Sequence, residues 1–175
     1  AITHLAVVHH ETTTGRLNDL DALGTLCRER RLTLLLDAVS SFGAERIDAA
    51  GWNVGALAGT ANKCLHGVAG LSFVLARDDL WAGPAQRAGA LYLDLRAYYN
   101  TQHQDGFSPF TLPVQVAFAL QAALAEHAEE GGCEVRRRAY AARAARIAVT
   151  LRAAGVGTLL PPAGYSSVLW SWQLP

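Results

Sequence analysis

The stretch that most constrains the fold is RLTLLLDAVSSFG, residues 31–43. Leu32 to Leu36 form an apolar run with no polar alternation, and the run stops at Asp37. A strand with one wet face alternates, so a continuous run predicts a strand covered on both faces, as in a parallel sheet. Upstream, His4 to His9 contains the apolar core LAVV and reads as a short buried strand. Between the two lies NDLDALGTLCRERR, in which Leu20, Leu23, Leu26 and Cys27 recur at helical spacing. Asn18 is the expected N-cap, and Arg28, Arg30 and Arg31 sit where the helix dipole favours cations. Strand, helix, strand in that order is a βαβ unit. The fold class is therefore α/β.

Two further apolar runs follow. VGALAG ends just before Thr60 to Lys63, and LSFVLAR spans Leu71 to Arg77. Asp37 and Lys63 each follow a predicted strand, and in open α/β sheets ligands bind at that carboxyl edge. Residues from about Asp79 to Pro113 read as an irregular loop packed by its own aromatics, among them Tyr92, Tyr98, Tyr99, Phe107 and Phe110. An alanine-rich helix is expected from Val114 to Glu130, ended by Gly131 and Gly132. A second runs from about Glu134 to Ala154, and Leu159–Leu160 and Val168–Trp172 read as short strands.

Charge and cysteine content narrow the function. Fifteen basic and fifteen acidic residues cancel, which gives no electrostatic reason to expect nucleic acid or an anionic membrane as partner. Arg136 to Arg138, with Arg143, Arg146 and Arg152, read as a solvated helix face. Three cysteines without CxxC spacing argue against a disulfide framework or structural zinc and fit a reducing compartment, the cytoplasm. No apolar run is long enough to span a membrane. The chain starts at Ala1, contains no methionine and opens directly on a strand-like run, which points to a segment of a longer protein.

The chemistry lies in three blocks: ETTTG, DAVSSFG and GTANKCLHG. Each combines small residues, hydroxyls or an amide, and one charged group. His9 and His10 are adjacent, so they point to opposite sides of a strand and are poor joint metal ligands. Cys64 has no base beside it and reads as a small buried residue.

ETTTG, DAVSSFG and ANKCLHGVAG, in this order and spacing, resemble the class V aminotransferases. The resemblance extends through nearly all of the chain and is strongest over its first 77 residues. It implies a fold-type I transferase that depends on pyridoxal 5′-phosphate (PLP), with a mostly parallel seven-stranded sheet in the large domain and a homodimer with active sites at the interface. Residues 1–132 would then be part of the large PLP-binding domain, and 133–175 a bridging helix and the beginning of the small C-terminal domain. The resemblance implies that Lys63 holds PLP covalently and carries protons, and that Asp37 faces the ring nitrogen. It also implies that Thr13, or its neighbour Thr12, bonds the ring oxygen, and that Asn62 and Thr60 meet the phosphate. Thr111 of FTLP would reach the phosphate from the partner subunit. Here Leu112 stands where the family usually has Ser, and Ala69 replaces a common Pro. One of His9 and His10 is a candidate to lie beside the ring. The implied small-molecule partners are an amino donor, an aminophosphonate, and pyruvate as acceptor. The alternatives are an alanine–glyoxylate or serine–pyruvate type enzyme, and a non-catalytic fragment retaining the fold.

Overall fold

The computed structural model describes residues 2–84 and 88–174. In chain order the elements are β1 (His4–Val8), β2 (His10–Glu11), β3 (Arg16–Leu17), α1 (Leu20–Arg30), β4 (Thr33–Asp37), β5 (Val54–Thr60) and β6 (Ser72–Ala76). They continue with α2 (Leu95–Asp105), α3 (Val114–Glu129), α4 (Gly132–Ala153), β7 (Gly157–Thr158) and β8 (Trp172–Gln173).

The main sheet has the order β1-β4-β5-β6. β1 pairs with β4, and β4 with β5, in parallel; β6 adds antiparallel to β5. The expected βαβ unit is β1-α1-β4. Its register puts Val8 opposite Asp37, and Asp37 opposite Ala58. β1 and β4 therefore end at one level, and β5 runs two residues beyond it, to Thr60.

α1 covers the sheet. Leu20, Cys27, Leu34, Leu36, Ala38, Trp52, Val54 and Leu57 form the buried core between them. Its N-cap is Asp19, whose side chain accepts from the Ala22 N–H, and not Asn18. Asn18 is drawn away because its amide donates to the Val8 carbonyl at 2.8 Å, tying the helix entry to the end of β1. Gly24 lets the helix touch the turn before β5, since a Cβ there would lie 2.5 Å from Trp52 Cα.

Several expectations are corrected. β1 is an edge strand among the described residues, with its side chains only half-buried or exposed, rather than a buried one. The 79–113 region is not wholly irregular. Asp94 caps α2 by accepting from the Arg96 and Ala97 N–H groups, and Gly106 closes it in the left-handed conformation. This helix packs through aromatics: Tyr99 stacks between Trp81 and His103. The short strands near the C-terminus lie at Gly157–Thr158 and Trp172–Gln173 rather than at Leu159–Leu160 and Val168–Trp172. Arg136 is not on a solvated face; it is buried.

The last segment folds back onto the first loop. The Ser166 N–H donates to the Gly15 carbonyl at 2.9 Å, and Arg16 bridges Tyr165. Gly15, at φ 81°, leaves no room for a side chain there: a Cβ would stand 2.5 Å from the Leu169 carbonyl oxygen. Buried Glu45 accepts from both the N–H and the hydroxyl of Ser167 at 2.6 and 2.7 Å.

Candidate active site

The carboxyl edge of β1, β4 and β5 gathers the charged and hydroxyl groups. β1 runs into His9, His10 and the loop Glu11–Gly15. β4 ends at Asp37, and β5 runs through Thr60 into Asn62 and Lys63. Main-chain bonds fix this edge: His9 N–H to the Asp37 carbonyl, and Ala38 N–H to the Ala58 carbonyl, both at 2.9 Å.

Asp37 is exposed, and its Oδ1 accepts from the Val39 N–H at 3.0 Å. That bond holds the carboxylate at the start of the loop, and among the described residues no hydrogen bond reaches Oδ2. Lys63 is exposed as well. It is the single lysine in the chain, all other cationic side chains of the Lys/Arg type being arginine. Guanidinium cannot lose its proton in a protein, so Lys63 carries the only ε-amine able to act as a nucleophile.

The hydroxyls divide into two groups. Thr13 donates from both its N–H and its hydroxyl to Glu11 Oε1, at 2.9 and 2.8 Å. These bonds hold the Glu11 carboxyl below the usual carboxylate range. Thr12 is exposed beside it. Across the edge, the Thr60 hydroxyl lies 2.9 Å from Asn62 Oδ1 and 3.1 Å from the Leu71 carbonyl. Thr111 is exposed in the stretch between α2 and α3, and among the described residues no hydrogen bond joins it to this cluster.

Beneath the edge is a polar layer that sequence reasoning missed. His9 is buried, its Nδ1 bonded to Ser41 Oγ at 3.0 Å and its ring edge-on to Trp52. Burial, with neighbouring His10 adding to it, pushes its pKa down to about 4, so the ring is neutral. His10 is also buried. A carbonyl can only accept, so its Nδ1 donates to Ser40 O (3.0 Å), while Nε2 faces Ser166 Oγ at 2.9 Å. The two rings thus turn apart, each occupied by protein groups. The serines of DAVSSFG were the available signal for these partners. Cys64 is buried, and burial pushes its thiol up to about 11, which keeps it protonated and inert.

The donor set suits a phosphorylated pyridine aldehyde. It offers one amine for the aldehyde, an outward carboxylate for a protonated ring nitrogen, and hydroxyl and amide groups for oxygens, all at one sheet edge.

A sheet of this kind, with a lysine and an aspartate at its carboxyl edge, defines a fold-type I transferase, and solved structures share the architecture. Alanine–glyoxylate aminotransferase from Nostoc sp. superposes with a TM-score of 0.89 at 25% identity, over 99% of this chain and 46% of that one. Pyridoxamine–pyruvate aminotransferase from Mesorhizobium loti gives 0.88 at 28% identity, over 99% and 45%. The sequence profile described as Aminotransferase class-V matches residues 2–163, and the chain belongs to that family. It is 40% identical over 175 residues to the 2-aminoethylphosphonate–pyruvate transaminase of Aeromonas hydrophila, covering 99% of this chain and 46% of the relative. The chain thus spans about half the length of the curated relatives it matches. Among the described residues no helix is long and apolar enough to cross a membrane.

Proposed function

We propose that this chain carries the lysine-bearing part of a PLP-dependent aminotransferase that moves the amino group of 2-aminoethylphosphonate to pyruvate, giving phosphonoacetaldehyde and alanine. The observation that supports the reading is that Asp37, Lys63 and the Thr12–Thr13 loop each follow the carboxyl end of one of three adjacent parallel strands. The identity to transaminases of that name supports the choice of substrates.

When bound, PLP supplies a ring that withdraws the electron pair left on the substrate carbon. Lys63 Nζ would be the covalent attachment point, and its amine, when free, would hold and move the proton at the substrate carbon. Asp37 would keep the proton on the ring nitrogen. Thr13, with Thr12 beside it, orients the ring oxygen, and Asn62 and Thr60 bind phosphate. Thr111 reaches phosphate from the partner subunit of a cytoplasmic homodimer. Residues 1–132 belong to the large domain, and 133–175 bridge to the small one.

A second reading keeps the chemistry and changes the donor. The superposition on alanine–glyoxylate aminotransferase favours it. Borohydride reduction of PLP-loaded full-length protein, followed by peptide mapping, is expected to tag Lys63. A tag elsewhere, or none, refutes the proposal. Comparing 2-aminoethylphosphonate with alanine and serine as donors separates the two readings.

A further inference from the structure

Residues 61–67, which carry Lys63, form neither strand nor helix. Inside the turn, the His66 N–H donates to the Lys63 carbonyl at 2.9 Å, and the Gly67 N–H to the Ala61 carbonyl at 2.8 Å. His66 lies at φ 66°, a left-handed conformation that a non-glycine residue holds only when its surroundings enforce it. The enforcing contacts come from α4. Arg136 Nη1 donates to the Cys64 carbonyl at 2.8 Å, and Tyr140 Oη bonds His66 Nε2, with the two rings edge-on. Arg136 and Tyr140 are one helical turn apart, hence on the same face.

Arg136 is costly to keep there. Its side chain is only 3% exposed, and a buried cation must be fully paired. Glu130 pairs it, Oε2 accepting from Nε at 3.0 Å and Nη2 at 2.5 Å, which fixes the guanidinium plane and aims the remaining nitrogen at Cys64. Cys64 and Leu65 are buried, and the Cys64 thiol points to the Ser40 carbonyl at 3.6 Å. The chain is thus clamped at the residue directly after Lys63 and again at His66, while Lys63 itself is exposed.

We infer that Arg136 and Tyr140 are positioning residues for Lys63: α4 clamps the lysine turn, so the amine is presented at a fixed place over the sheet edge. This rests on Lys63 being the cofactor anchor. Neither residue touches the reacting atoms, so both act through the backbone of the turn.

The test uses full-length protein with Arg136→Leu, Arg136→Lys (charge and one donor kept) and Tyr140→Phe (hydroxyl removed). Hydrogen exchange of amides 64–67 in PLP-free protein reads the clamp without the cofactor. Loss of PLP absorbance after dilution reads its release, and steady-state kinetics separate kcat from KM. For Arg136→Leu, exchange and PLP release are expected to accelerate on the order of tenfold, with kcat falling and donor KM little changed. Arg136→Lys should lie between Arg136→Leu and the natural protein, and Tyr140→Phe should accelerate exchange by about threefold. If Arg136→Leu does not fold, the other two variants decide. Exchange at 64–67 within about twofold of the natural protein in both overturns the clamp. If the natural protein forms no bond between Lys63 and PLP, the functional reading fails, and the exchange data still judge the clamp by themselves.

Discussion

Lowering the pH should destabilise this fold through the buried ring of His9. In the unfolded chain its imidazole takes a proton at the ordinary value of 6.5; in the fold it resists until about 4. Between those values the unfolded state holds more protons, so stability is full above about pH 6.5 and falls as the pH drops toward about 4. Each pH unit inside that window costs up to about 1.4 kcal/mol. From about pH 7.5 to about pH 5 the expected loss is about 2 kcal/mol, before the carboxylates begin to titrate. The physical cause is specific: the ring is packed edge-on against Trp52, and its Nδ1 is bonded to the buried Ser41 hydroxyl. His9→Asn keeps a polar group near Ser41 and removes the titration. Urea midpoints of the natural and His9→Asn proteins, followed by tryptophan fluorescence across this pH range, provide the assay. The natural protein should lose about 2 kcal/mol more than the variant. Parallel pH dependences in the two proteins would refute the reasoning.

Two other substitutions separate chemistry from packing. Asp37→Asn retains an oxygen to accept from the Val39 N–H, so the PLP-free thermal midpoint should stay unchanged while kcat falls on the order of 10²-fold; a rate equal to that of the natural enzyme would remove Asp37 from the ring nitrogen. Gly24→Ala drives a methyl onto the Trp52 main chain, which cannot rotate aside, and should cost about 2–3 kcal/mol in urea unfolding; an unshifted midpoint would mean that α1 lifts off the turn freely.

The βαβ unit and the carboxyl edge were legible because they rest on local pattern. The run ending at Asp37 and the VGALAG strand lie where expected. α2 was obscured because its tyrosines pack on other aromatics, Tyr99 on Trp81 and Tyr98 against Tyr92 and Phe110, so no helical stripe stood out. Asp94 and Gly106, a cap at each end, were the overlooked signal. Arg136 was misread for a different reason. Within a run of three arginines nothing local marks the buried one; its distinction comes from Cys64, 72 residues away. The same holds for Ser166, whose partner His10 is 156 residues distant.

That last separation has a consequence for how the protein is made. The loop carrying Thr12 and Thr13 meets Ser166, Leu169 and Ser171 at its far side. Such contacts close a very long stretch of chain, and closures of that length form late. During synthesis Asp37 can take its place at the sheet edge as soon as β5 and β6 have emerged, whereas the Lys63 turn is held only once α4 follows. The threonine loop must wait for the residues around Ser166 before it reaches its final shape. Order of assembly is therefore written into this edge: Asp37 comes first, the turn carrying Lys63 next, and the Thr12–Thr13 loop last.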